Sequence, residues 1–176
     1  MAHLAGWNYL ACALFITFDI VARNFFGFSS RATVEVTGYM LACGIAWGLA
    51  HTLAARAHIR VDVLANRFPV GVRAPLHLLA LLLLGGFAVF IAWAAYSLYD
   101  ESALFDAHDN SALRIPMVIP QGIWLAGIGA FVVMVGVLLL ESICALLAGE
   151  PGRLDGLLGS RGIDEEAAEA VQAARR

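Results

Sequence analysis

Lysine is absent from the 176 residues, and charged side chains of any kind are scarce at 14%. A soluble globular domain carries about 25% charged and about 45–50% apolar residues, so a chain that is 61% hydrophobic has too little polar surface to face water all round. A formal net charge of −3 offers no basic surface, so no nucleic-acid partner is expected. No HExxH, GxSxG, phosphate-binding glycine loop or paired-carboxylate constellation occurs, which argues against an enzyme. Cys12, Cys43 and Cys144 each lie inside an apolar run without a CxxC, and read as small packing residues. A thiol oxidase would instead need reactive cysteine pairs in its loops. No arginine precedes the first apolar run, and Arg23-Asn24 follows it where a cleavage site would want small residues, so this run is expected to stay in the mature chain. No internal repeat of the kind used by transporters with inverted halves is visible.

What the chain does have is apolar length. Four runs, about Leu4 to Ala22, Val34 to Ala55, Ala74 to Leu98 and Val118 to Leu147, reach the roughly 20 residues that cross about 30 Å of hydrocarbon as a helix. In lipid an open strand would leave its peptide groups unpaired at several kcal/mol each, so these runs must be helical. The expected fold is an all-α membrane protein with a four-helix transmembrane domain over residues 1–148 and a cytoplasmic, partly helical tail over 149–176. Arginines near span ends stay cytoplasmic. The middle connection carries Arg56, Arg60, Arg67 and Arg73, against Arg23 and Arg31 in the first and Arg114 alone among Asp100, Glu101, Asp106 and Asp109 in the third. Both termini are therefore expected to be cytoplasmic.

Within the middle connection Val61, Leu64, Ala65 and Phe68 fall at i, i+3, i+4 and i+7, which predicts a short amphipathic helix lying in the membrane interface. Pro69 would stop it, and Pro75 would start the third span as a first-turn proline. Beyond Gly149 the tail turns polar, and Asp164-Glu165-Glu166 followed by Arg175-Arg176 suits the dipole of a solvated short helix.

The spans lack what a carrier needs near the bilayer midplane. Asp19, Glu35, His51, Arg56, His77 and Glu141 all lie within a few turns of a span end, leaving the centres uncharged. A chain of this kind is expected to act as a scaffold packed against a larger partner. Gly44 and Gly48 on the second span form a GxxxG, extended by Ala42, Ala46, Ala50 and Ala54, that permits close approach of another backbone. Trp7, Trp47, Trp93, Trp124, Tyr96 and Tyr99 lie mostly toward span ends, where aromatic rings anchor in the headgroup zone.

Read together, the polar positions form a pattern: Arg23 after the first span, Glu35 entering the second, His58-Ile59-Arg60-Val61-Asp62 after it, Arg73, then Leu113-Arg114-Ile115-Pro116 and Ile119-Pro120-Gln121 before the fourth. This pattern resembles the small membrane subunit, the DctQ-like small permease, of tripartite ATP-independent periplasmic (TRAP) transporters. The likeness runs roughly from Leu10 to Leu140, and the His-Ile-Arg-Val-Asp run is its most specific element. The stretch from Pro116 to Gly127 is a compact version of the family pattern, and the tail has no counterpart.

The resemblance implies a multi-pass subunit of the bacterial inner membrane whose partners are a large elevator-type permease, a periplasmic solute-binding protein and membrane lipids. It implies uptake of carboxylates or related organic acids driven by a sodium gradient. Solute and sodium sites would belong to the large permease, so no cofactor or metal is expected in this chain. The residues expected to brace the hairpin or the partner interface are Asp19, Arg23, Glu35, Gly44, Gly48, His58, Arg60, Asp62, Arg73, Pro116 and Pro120. Asp19 and Arg23 stand four apart with the acid first, the favourable order for a helical ion pair, and Glu35 enters the next helix where its dipole favours an anion. His58 and Asp62 are also four apart. The alternative reading is a redox anchor that binds haem through His51 and His77, two histidines at similar depth on different spans.

Overall fold

The structure, a computed structural model, describes residues 2–28, 30, 32–56, 69–110, 113–149, 151–158 and 171. Among them four long helices follow one another: α1 (Ala2–Phe26), α2 (Thr33–Ala54), α3 (Val70–Leu104) and α4 (Val118–Leu147), with a short α5 (Pro151–Leu158) behind α4. No strand occurs among the described residues, only one antiparallel bridge between His108 and Pro116. All four long helices are long and apolar enough to cross a membrane. At 1.5 Å per residue the 35 residues of α3 reach about 52 Å, well beyond the hydrocarbon thickness of about 30 Å.

The helices stop where the backbone turns left-handed: Gly27 follows α1, Arg56 follows α2, Asp106 follows α3 and Gly149 follows α4, all with φ between 47° and 73°. This is the usual helix exit, in which amides past the last turn satisfy its orphan carbonyls. The amides of Ala55 and Arg56 close on His51 and Leu53, and those of Ala148 and Gly149 on Cys144 and Leu146. At the other end of α3 the third span starts earlier than Pro75. Pro69, extended at φ −62° and ψ 154°, is the N-cap, and Pro75 sits one turn further in. Its missing N–H leaves the Gly71 carbonyl without a helical donor, in a turn exposed enough for solvent to supply one. The amphipathic segment expected over Val61 to Phe68 lies outside the described residues.

In space the long helices form an open row, α1–α2–α4–α3. α1 packs on α2, α2 on α4 and α4 on α3, while α1 and α3 at the two ends share no comparable interface, so the row does not close into a bundle. The seams follow a seven-residue repeat. On α1 the buried and half-buried positions are Ala5, Asn8, Cys12, Phe15, Asp19 and Ala22. On α3 Ala74, Leu81, Ala88, Ala95 and Ser102 are buried at intervals of seven. A single 3.5-period stripe of this kind meets one neighbour at a shallow crossing angle and leaves the rest of the helix to lipid or partner.

α5 departs from the solvated tail that the sequence suggests. Leu158 is only 3% exposed and belongs to the same buried cluster as Leu53, Ala74 and Ala145, at the end of the row opposite the α1–α2 hairpin. α5 packs on α3 and α4. The acidic stretch from Asp164 lies outside the described residues.

Candidate functional site

Several polar side chains tie the helices together, and these ties concentrate at the hairpin end of the row. Asp19 is buried, 3% exposed, and takes an ion pair from Arg23 Nη2 at 2.9 Å, the acid and base meeting one helical turn apart. Its other carboxylate oxygen accepts the Ser30 amide at 2.8 Å, which folds the connection back against α1. The Thr33 hydroxyl then donates to the Ser30 carbonyl at 3.1 Å where α2 begins. Charge-assisted bonds to a buried carboxylate are worth roughly 1.5–3 kcal/mol each, so this carboxylate outweighs any single apolar contact in the hairpin. Glu35 does not join the pair. Its Oε2 is buried and without a hydrogen-bond partner among the described residues, as is Oε1 of Gln121 on α4.

The connection between α3 and α4 is also built. The Asp109 amide donates to the Ile115 carbonyl at 3.0 Å and the Met117 amide to the Ala107 carbonyl at 2.9 Å, closing a tight loop. Asp106 and Arg114 hold left-handed φ of 47° and 46°, a conformation that costs a side-chain-bearing residue about 1–2 kcal/mol. The Tyr39 hydroxyl of α2 donates to Asp109 Oδ2 at 2.8 Å and lies 3.6 Å from Met117 Sδ, which pins this loop over the start of α2. Pro116 sits in the bridge and its carbonyl accepts the Ile119 amide at 3.1 Å. Pro120 is buried in the first turn of α4, where its missing N–H is an orphan anyway.

Deeper in the row, contacts depend on small residues. A Cβ added at Gly44 would come within 2.7 Å of Asn8 Nδ2 and 2.9 Å of the Tyr9 ring, so Gly44 leaves the room these α1 side chains occupy; one added at Gly48 would meet nothing within 4 Å. α2 and α4 approach closely at Gly127, where a Cβ would stand 2.9 Å from Ala46. Beside it the Trp47 indole donates to the Ile123 carbonyl at 2.9 Å, and the Asn8 amide spans α1 and α2 to the Met40 carbonyl at 2.6 Å. At the opposite end Arg56 donates to the Gly156 carbonyl of α5 at 2.6 Å, and Arg73 lies half-buried in the first turns of α3. His58, Arg60 and Asp62 lie outside the described residues.

No group of three or more histidine, cysteine, aspartate or glutamate side chains converges among the described residues. The central turns of all four spans carry no charge. The arrangement braces and presents surfaces. A family profile described as the DctQ component of tripartite ATP-independent periplasmic transporters matches residues 12–145. The chain belongs to the DctQ family. Among curated proteins none matches it at significant similarity.

As a DctQ component it is the small membrane subunit of a TRAP transporter, and the family is one of transport components, not of enzymes. The haem alternative finds no support in that assignment. The sequence singles out neither Asn8 nor Tyr39 nor Gly127; it places Ala46 on the small-residue stripe but marks Trp47 only as a headgroup anchor and Asp109 only as a loop charge. A polar Asn8 inside an apolar run was a usable signal, because an amide in hydrocarbon needs a partner. The pairing of Tyr39 with Asp109, 70 residues apart, left none.

Proposed function

We propose that this DctQ chain is the scaffold of a secondary-active, sodium-gradient-driven uptake system for carboxylates or related organic acids. It braces the large elevator-type permease in the bacterial inner membrane and helps dock the periplasmic solute-binding protein. The observation that carries the reading is the open row. A four-helix chain that spends many of its polar groups on internal ties, and leaves whole flanks of α1 and α3 apolar and uncovered, offers a wide apolar surface inside the membrane. Exposed apolar flanks on this scale suit contact with a large membrane partner or lipid. Solute and sodium then bind in the permease.

The arginine count supports placing the α5 end in the cytoplasm and the hairpin end, with its two fixed connections, in the periplasm. There the loop tied by Tyr39 and the hairpin tied by Asp19 would face the solute-binding protein. In the middle connection, Arg60 and its neighbours His58 and Asp62 are assigned to the permease interface. Affinity purification of the tagged chain co-expressed with the genes beside its own should bring down a large multi-span protein, and Arg60→Glu should weaken that recovery. Undiminished recovery with Arg60→Glu would remove this residue from the interface, and absence of any multi-span companion would remove the scaffold reading.

A further inference from the structure

α3 ends among acids. Asp100 and Glu101 stand in its last turns, Asp106 follows its end at φ 47°, and Asp109 lies in the loop beyond, with Arg114 the one arginine of this connection. Asp100, Glu101 and Asp106 are exposed, and neither they nor Arg114 form an ion pair among the described residues. His108 holds its Nδ1 2.7 Å from the Asp106 carbonyl. A helix dipole presents its negative end here and favours a cation, yet the last turn of α3 contains no basic side chain. Carboxylates and dipole therefore add up to a negative potential that no described residue pairs off.

The same side of the helix carries an apolar pair. Leu104 stands one turn past Asp100 and Phe105 one turn past Glu101, so each acid shares a side of α3 with an apolar neighbour. Leu104 is 76% and Phe105 71% exposed. Trp93, Tyr96 and Tyr99, the rings suited to the headgroup zone, all lie on the span side of the two acids. Leu104 and Phe105 lie about 6 Å past the acids at 1.5 Å per residue, on their water side. An exposed apolar pair in that position, flanked by charge of one sign, marks a contact with another protein. A second copy of this chain would bring the same acids against these, and an anionic lipid headgroup would be repelled alike. A water-soluble partner with a basic rim around an apolar recess meets both features. We propose that Leu104 and Phe105, flanked by Asp100, Glu101 and Asp106, are the docking surface for a basic face of the periplasmic solute-binding protein. This assignment rests on the docking reading given above.

The test uses the assembly of this chain with its large permease in phosphatidylcholine nanodiscs, titrated by biolayer interferometry with the solute-binding protein encoded beside it. Raising the salt from about 50 to about 300 mM should weaken binding about tenfold, because opposed charges at an interface rim are screened. Asp100→Asn combined with Glu101→Gln should weaken binding about tenfold at the lower salt and flatten the salt dependence. Leu104→Ala combined with Phe105→Ala should weaken it about tenfold with the salt dependence kept, the scale of truncating an interface centre. Equal recovery of the permease verifies that each variant assembles. Binding to the parent assembly that neither pair of substitutions alters would overturn this surface and leave the docking reading standing. No binding to the parent assembly at either salt would remove the docking reading and this surface with it. Loss of the permease from the variant assemblies would assign the face to the permease and contradict the proposal.

Discussion

Asp19 shows how a charged residue is tolerated two turns inside an apolar helix: both its oxygens are occupied, one by Arg23 and one by the Ser30 amide. A carboxylate at that depth without these partners would be costly. The glycines separate by the same reasoning. Gly44 makes room for the Asn8 and Tyr9 side chains and Gly127 for the Ala46 backbone, whereas Gly48 faces open space despite completing the GxxxG. Alanine is preferred over glycine within a helix by about 1 kcal/mol, so Gly48→Ala should hold or raise the thermal midpoint in detergent. Gly127→Ala should lower it, because its Cβ would meet the Ala46 backbone at 2.9 Å and overpacking costs about 1–3 kcal/mol. A Gly127→Ala chain as stable as the parent would contradict the close α2–α4 approach.

At the scale of the element, the spans were legible and their mutual arrangement was not. Hydropathy and length mark a transmembrane helix whatever its neighbours are, which is why the four runs and the four helices coincide to within a few residues at most ends. The seams carry no such contrast. Inside lipid, the side facing a neighbour is as apolar as the side facing an acyl chain, so burial is signalled by small size and a seven-residue interval, as along Ala74, Leu81, Ala88, Ala95 and Ser102, and not by hydrophobicity. Pro75 was misread because proline in a first turn and proline in a second turn look alike until the cap at Pro69 is known. α5 was underestimated for a similar reason: it reads as part of a solvated, partly helical tail, yet Leu158 buries itself and the Gly156 carbonyl receives Arg56. Burying a leucine contributes about 1.5–3 kcal/mol, enough to hold so short a helix on the row. Leu158→Asp should release α5, seen as faster amide exchange over residues 151–158 with α1 to α4 still protected. Unchanged exchange there would show that α5 is held by something other than this side chain.

For the whole molecule, the physical character is that of a brace. The row α1–α2–α4–α3 is open, its polar groups are committed to the Asp19 hairpin, the Tyr39–Asp109 tie and the Arg56–Gly156 latch, and its flanks remain apolar. Part of the site's chemistry was legible as residue types: Asp19 and Arg23 were paired from their spacing, whereas Pro120 entered only through the family resemblance. Glu35 was grouped with them by sequence proximity and in the structure stands apart, since one helical turn decides which neighbour a side chain meets. The DctQ membership and the uncharged span centres lead to one expectation, that transport requires the companion subunits. Its most direct test is reconstitution of the purified chain alone into sodium-loaded and sodium-free liposomes, with radiolabelled organic acids supplied outside. No gradient-dependent accumulation is predicted for any of them. Accumulation that follows an imposed sodium gradient in liposomes holding only this chain would contradict the account.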